Sequence, residues 1–213
     1  MRRRKYFLLL VGFGLIGFAT YFTATHSSTM TVVRQVERTG GYVAFSHYGP
    51  DWLVKLLGNA YPCKSVREVG MGYQTSDGDL SVVASLKQAR IVMLNATDVR
   101  GPGLARLKDM PKLEDLDLTK SAITDEGLKY LNGLQTIKRL SLARTKITDQ
   151  GVSHLQQVNN LKELNLEDTK VTDVSFQYLS RLPLKWLNVR RTLVTTNGTA
   201  SFQKRNPTVH ISQ

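Results

Sequence analysis

The chain has 213 residues, of which 29 are Lys or Arg and 17 are Asp or Glu, so its net charge is +12. With 41% apolar residues and 6 prolines, the composition excludes a disordered tail and a fibrous protein. The single cysteine, Cys63, excludes an intrachain disulfide and a zinc site built on several thiolates. The length allows one elongated domain, or one domain with an anchor.

The first 25 residues predict a membrane anchor. Residues 2–5 read Arg, Arg, Arg, Lys, and the 17 residues from Tyr6 to Phe22 carry no charge. This segment is short for a spanning helix, where ~20 residues is typical, and long for a signal-peptide core. Since no clear cleavage site follows, an uncleaved anchor is favoured over a cleaved signal peptide. The basic residues would hold the amino terminus in the cytoplasm and place the rest outside it, whereas cleavage would release a secreted protein.

A glycine motif inside this segment offers a different interpretation. Gly12, Gly14 and Gly17 form a G-x-G-x-x-G pattern, and Glu37 lies where an acidic ribose ligand of a dinucleotide-binding fold is expected. In that fold the glycines open an amphipathic helix, but the residues after Gly17 do not form one. A soluble enzyme using this motif is therefore a minor alternative.

The chain repeats itself from residue 113 onward. Units start at residues 113, 137, 161 and 184, which gives periods of 24, 24 and 23 residues. Apolar residues at unit positions 1, 4 and 6 have strand spacing, as in Leu113, Leu116 and Leu118, and later ones have helical spacing. Two weaker copies begin at Val66 and Ile91, so we expect six coils between residues 66 and 206.

This pattern, with its recurring T-x-I/V-T-D-x-G-L, resembles the leucine-rich repeat family, and it is similar to the short, often membrane-anchored repeat proteins of planctomycete-type bacteria. The resemblance covers about two-thirds of the chain. It implies an α/β solenoid, with the strands in a parallel concave sheet and the helices on the convex side. The chain then divides into an anchor (1–25), a linker and amino-terminal cap (26–65), repeats (66–206) and a carboxyl-terminal cap strand (207–213).

Both ends of a solenoid expose apolar edges, so both need caps. At the amino end, Val32, Val33 and Val36 predict one helix, residues 42–45 a strand, and residues 50–57 a second helix. Cys63 is expected to be buried in this cap. At the carboxyl end, the pattern fades in the last unit, and a strand is predicted at residues 208–211.

Two polar columns are predicted to serve the architecture. We expect hydroxyl groups to bond backbone at the corner after each strand, where the family usually has Asn; they belong to Ser121, Thr145, Thr169 and Thr192. A Thr-Asp pair opens each helical half, which suits N-capping and favourable charge at a helix start; the pairs are Thr124-Asp125, Thr148-Asp149 and Thr172-Asp173. One carboxylate per coil falls short of what calcium needs, so no metal site is predicted.

Sequence signatures of catalysis are absent from the chain. It has no metalloprotease, nucleophile-elbow or P-loop motif, and its 4 histidines are scattered. We therefore expect no enzyme and no cofactor.

The concave sheet is the expected binding surface. Its outward charges alternate from coil to coil, as in Asp115, Arg139 and Glu163, which favours pairing between strands and disfavours a nucleic-acid groove. The last coil brings Trp186 among basic residues, and Trp and Arg are typical interface anchors. Trp186 could equally cover the edge of the terminal cap. The predicted contact set is Arg139, Glu163, Asn165, Trp186, Asn188, Arg190 and Arg191.

The sequence thus predicts a non-enzymatic recognition module, anchored by residues 6–22, that binds a protein or a component of the bacterial cell envelope. The alternative is a structural or adaptor protein that positions a partner at the membrane without a discrete site on the concave face.

Overall fold

The computed structural model describes residues 29–47 and 64–213. The predicted anchor, the predicted helix at residues 50–57 and Cys63 lie outside these residues. Within the two described ranges, no helix is long and apolar enough to cross a bilayer.

One sheet runs through the described residues, with eight strands in chain order. The first strand is antiparallel to the second, and all later pairs are parallel, which confirms the predicted solenoid with a parallel sheet. Coils 1 to 6 begin at the second to the seventh strand. The strands are β1 (Tyr42–His47), β2 (Lys64–Gly70), β3 (Ile91–Met93), β4 (Asp115–Asp117), β5 (Arg139–Ser141), β6 (Glu163–Asn165), β7 (Trp186–Asn188) and β8 (His210–Ser212).

Short helices cross the other side of the coils. A first helix, α1, covers residues 29–38 before the sheet begins. The others are α2 (Leu80–Ala84), α3 (Asp125–Leu128), α4 (Asp149–Ser153), α5 (Ser175–Leu179) and α6 (Thr196–Arg205). Single 3-10 turns precede α2, follow α3 and α4, and form the whole helical half of coil 2 at Pro102–Asp109.

The core is a stack of apolar side chains between the sheet and the helices. The central residue of each strand points inward, so that Leu116, Leu140 and Leu164 are no more than 2% exposed. Each removes its side chain from water, a gain of about 1.5–3 kcal/mol. The outward neighbours on these strands are half-buried or exposed and form what we call the open face of the sheet.

Both ends of this core are covered. Val33 and Val36 of α1 are buried at the amino end, as the sequence predicts. At the carboxyl end, Phe202 of α6 is buried and stacks on Phe176 with ring centroids 4.6 Å apart. Strand β8 pairs with β7 and ends the described sheet.

The hydroxyl column behaves as predicted at three of its four predicted positions. Each threonine donates to the carbonyl three residues earlier, as Thr145 does to Leu142 at 2.6 Å and Thr169 to Leu166 at 2.7 Å. Thr192 does the same, and so does Thr97 in coil 2. The expectation is wrong for Ser121, whose buried hydroxyl makes no hydrogen bond in the described part of the chain.

The aspartate column ties successive coils together. The Asp125 carboxylate accepts hydrogen bonds from the Thr148 backbone N–H at 2.9 Å and from the Thr148 hydroxyl at 2.6 Å. Asp149 does the same for Thr172, at 2.9 and 2.7 Å. Asp173 repeats the arrangement with Thr195 of coil 6. The predicted role in helix capping therefore describes the threonines only in part, and the aspartates act mainly between coils.

The threonines of the Thr-Asp pairs form hydrogen bonds within their own coil and with the preceding coil. The Thr148 hydroxyl donates to Asp125 of the preceding coil and accepts from the Gln150 backbone N–H at 3.2 Å. Thr124 caps α3 by accepting from the Gly127 N–H at 3.0 Å. A capped helix start and a link between coils thus share one side chain.

In coils 4 and 6 a glycine follows, because the carboxylate of the preceding coil occupies the space of a side chain. A Cβ added at Gly151 would overlap the Asp125 carboxylate, and one at Gly198 would overlap that of Asp173. Position 175 has a serine instead, and its hydroxyl donates to Asp149.

Removing the Asp149 carboxylate should destabilise the solenoid. Asp149→Ala leaves three donors of coil 5 without their acceptor, and we expect the free energy of unfolding to fall by about 2 kcal/mol. Chemical denaturation measures this change. The control is Asp109→Ala, since Asp109 is exposed at the end of a 3-10 helix and should change stability by less than about 0.5 kcal/mol. Equal losses in the two variants would contradict the proposed link between coils.

The same carboxylate should make stability depend on acid pH. Partial burial raises the pKa of Asp149, but the hydrogen bonds from Ser175 and Thr172 outweigh it, and the pKa lies below its ordinary 3.8. The folded protein therefore binds this proton less readily than the unfolded chain. The stabilisation is complete above pH 3.8 and is lost as the pH falls through the lower, folded value. Denaturation at neutral and acid pH should show the gap between wild type and Asp149→Ala closing in acid.

Candidate functional site

In coils 2 to 4, several charges on or next to the strands pair with one another. Arg139 Nε lies 2.8 Å from Asp115 Oδ2 on the neighbouring strand, and this hydrogen bond is the main reason that the pKa of Arg139 is raised. Glu114 lies between Arg90 at 2.8 Å and Lys138 at 3.1 Å. Hydrogen bonds from Arg90 and then Lys138 lower the pKa of Glu114. These charges pair within the protein, as the alternating sequence predicts for Asp115 and Arg139.

Trp186 is the large aromatic side chain on the open face of coil 6. It is half-buried on β7, and the register places Glu163 of β6 on one side and His210 of β8 on the other. Trp186 is therefore followed by one more strand. The sequence analysis missed His210, although it lies 24 residues after Trp186, one coil period along the chain.

Two arginines follow Trp186 without partners. Arg190 and Arg191 are exposed just beyond β7, and neither side chain forms a salt bridge with any residue of the described ranges. Their charges are therefore available to a ligand, unlike that of Arg139.

The two predicted asparagines have structural partners. The side-chain oxygen of Asn165 accepts from the backbone N–H of Glu167 at 3.0 Å, and that of Asn188 accepts from the N–H of Arg190 at 3.1 Å. Asn188 is only 6% exposed, and its amide also reaches Glu167. These side chains stabilise the turns after β6 and β7. Their spacing in the sequence did not reveal this role.

A corner residue with left-handed backbone follows each strand from coil 2 onward. Its φ is 55–57°, although none of these residues is glycine; they are Ala96, Lys120, Arg144, Asp168 and Arg191. The corner N–H is bonded to the next coil, as in Lys120 to the Ala143 carbonyl at 2.9 Å. Neighbouring coils thus hold the strained conformation and turn these side chains outward together.

The amino end of the open face has its own aromatic group. Tyr42 of β1 donates a hydrogen bond to Glu68 at 2.5 Å, which raises the pKa of Tyr42 to about 12. Its ring lies directly over Gly70, where a Cβ would collide with it. This contact between β1 and β2 was not predicted.

The described residues contain no group of three or more His, Cys, Asp or Glu side chains that could hold a metal ion.

Comparison with known proteins agrees with this architecture. Residues 109–131 and 133–155 match the family model described as Leucine Rich repeat. The two matched segments lie mainly in coils 3 and 4. Among curated proteins, none matches the sequence.

Solved leucine-rich repeat structures have a similar fold. An internalin, InlF, of Listeria monocytogenes is 18% identical with a TM-score of 0.52, over 66% of this chain and 38% of its own. An LRR protein of Leptospira interrogans is 19% identical over 62% and 33% of the two chains, with a TM-score of 0.46. Internalin C2 of Listeria monocytogenes is 20% identical over 62% and 54%, with a TM-score of 0.45. The chain spans only part of each, so the likeness concerns the fold of the repeats.

The left-handed backbone of the corner residues predicts that a glycine at one of these positions stabilises the protein. Ala96→Gly should raise the free energy of unfolding by about 0.5–1 kcal/mol, because a φ of 56° strains alanine but not glycine. The same substitution at Ala200, inside α6, should lower it by about 0.5–1 kcal/mol. Thermal or chemical denaturation of the two variants gives the signs, and a loss of stability in both would refute the account of the corner.

Proposed function

We propose that this chain is a non-enzymatic recognition module that binds a protein or an envelope component on the open face of its last leucine-rich repeat. Trp186 would be the anchor, with Arg190 and Arg191 as charged contacts and Glu163 and His210 at its sides. Such a surface is pre-formed on a rigid sheet, so a ligand loses little free energy in ordering it.

One observation carries this proposal. On or next to the strands of coils 3 and 4, Arg139 pairs with Asp115 and Lys138 with Glu114, whereas Arg190 and Arg191 form no salt bridge in the described ranges. A half-exposed tryptophan beside unpaired arginines is typical of the side chains that contribute most to binding energy at interfaces. Arg139 is accordingly a peripheral member of the predicted contact set, and Asn165 and Asn188 support the turns below it.

The location of the module is part of the same proposal. Residues 6–22 would anchor it in the membrane, with the amino terminus in the cytoplasm and the repeats outside, as in the membrane-anchored bacterial proteins that the sequence resembles. The uncharged run after four basic residues supports this arrangement.

The test is partner capture from solubilised membranes by the full chain. Trp186→Ala and Arg191→Ala should each reduce the amount of captured partner by about tenfold, since each removes a central contact worth more than about 1 kcal/mol. Tyr73→Ala is the matched control, because Tyr73 is a 73% exposed aromatic residue at the other end of the solenoid.

Thermal denaturation must show that the variants fold as the wild type does. Capture that is unchanged by Trp186→Ala and Arg191→Ala would exclude the site on coil 6 and favour an adaptor role without a discrete site on the open face. Capture that falls equally with Tyr73→Ala would exclude it as well.

A further inference from the structure

A groove runs along the corners of coils 2 to 4, where the chain leaves the strands. Its volume is about 760 Å³. Its floor contains Ala96, Ser121 and Ala122, and four basic side chains surround them: Arg100, Lys120, Arg144 and Lys146. We call it the corner groove.

The groove exists because small side chains meet at this place. In coils 4 and 5 the position of Ala96 holds a longer side chain, the position of Ser121 holds threonine, and the position of Ala122 holds lysine. Those longer residues are Arg144 and Asp168, Thr145 and Thr169, and Lys146 and Lys170. Three short side chains in two adjacent coils therefore leave a hollow between the long basic ones.

The basic side chains around the hollow are free to bind a ligand. Arg100, Lys120, Arg144 and Lys146 are all exposed, and none forms a salt bridge with a residue of the described ranges. Elsewhere on the same solenoid, Arg90, Lys138 and Arg139 each pair with a carboxylate. Unpaired cations close together repel one another, and an anion between them would relieve that repulsion.

The carboxylates of the groove do not balance this charge. Both oxygens of Asp125 accept hydrogen bonds from Thr148, and Glu126 pairs with Lys129 at 3.3 Å. The hydrogen bonds from Thr148 leave Asp125 charged, so Asp98 and Asp125 remain as carboxylates without a salt bridge in the described ranges. Four cations thus face two carboxylates.

The floor of the groove is also polar. The Ser121 hydroxyl is buried without a hydrogen bond in the described part of the chain, whereas the Thr145 hydroxyl beside it donates to Leu142. A buried hydroxyl without a partner is uncommon in a folded protein. Ser121 lies in coil 3, which contributes two of the three short side chains that form the hollow.

We propose that the corner groove binds a short acidic segment of a partner protein in extended conformation. Parallel strands are about 4.8 Å apart, so the three coils span roughly 10 Å, which fits three or four residues of an extended chain. Alternate side chains of such a segment point the same way, so two carboxylates can face the basic rim together. The binding is independent of the proposed site at Trp186, which lies two coils further on.

The chemistry of the groove favours a peptide over a nucleic acid. No aromatic residue lines it, whereas proteins that bind single strands commonly stack bases on aromatic side chains. Asp98, Asp125 and Glu126 also line the groove, so a ligand that is negatively charged at every position would meet them as well as the basic residues. A segment with spaced carboxylates can place its charges beside the basic residues alone.

The test measures binding of a short fluorescein-labelled peptide of alternating Glu and Gly to the full chain by fluorescence anisotropy. We expect binding that weakens as salt rises to about 0.15 M, and no binding of the matching Gln and Gly peptide. Arg144→Gln combined with Lys146→Gln should weaken binding ~10-fold, because two charge contacts are lost. Ala122→Gln should weaken it several-fold, since a longer side chain fills the hollow without changing the charge.

The matched control is Arg106→Gln combined with Lys204→Gln, which removes two exposed charges from the helical side. It should leave peptide binding unchanged, and so should Trp186→Ala, which separates this groove from the site on coil 6. Equal weakening by the control pair would show a general charge effect and overturn the proposal. Tighter binding of a single-stranded oligonucleotide or a sulfated polysaccharide than of the acidic peptide would overturn it too.

Discussion

Every coil of this solenoid depends on its neighbours to keep its leucines out of water. A strand of three residues with a short helical turn has one apolar face and nothing of its own to cover it. Leu116, Leu140 and Leu164 are buried because adjacent coils repeat the same pattern at the same height. This requirement explains why the ends differ from the middle, with α1 and Phe202 covering the two edges of the core.

Polar bonds between coils give this apolar stack a single register. Apolar packing alone would tolerate small shifts of one coil against the next, whereas a carboxylate that accepts two hydrogen bonds from one threonine does not. Asp125, Asp149 and Asp173 each do this for the following coil. Gly151 and Gly198 follow from the same arrangement, because the carboxylates of Asp125 and Asp173 occupy the space of a side chain.

A fixed register turns small sequence differences into surface features. Where acidic and basic residues alternate at the same position of neighbouring strands, as at Asp115 and Arg139, their charges neutralise one another. Where the alternation ends, charge is left over, as at Arg190 and Arg191 beside Trp186. Where small residues coincide at the corners, a hollow forms with a basic rim. The two proposed binding surfaces thus arise from departures from the repeat, on a scaffold that the repeat itself makes rigid.

The sequence by itself determined the repeat, its period, the parallel sheet and the buried leucines, because apolar spacing is a local property that recurs in each unit. It also indicated Trp186 and its arginines. Only the tertiary structure decided the role of the aspartates, the use of Asn165 and Asn188 in the turns, the place of His210 beside Trp186 and the corner groove. Each of these depends on which residue of one coil meets which residue of the next, and that pairing exists only once the coils are stacked.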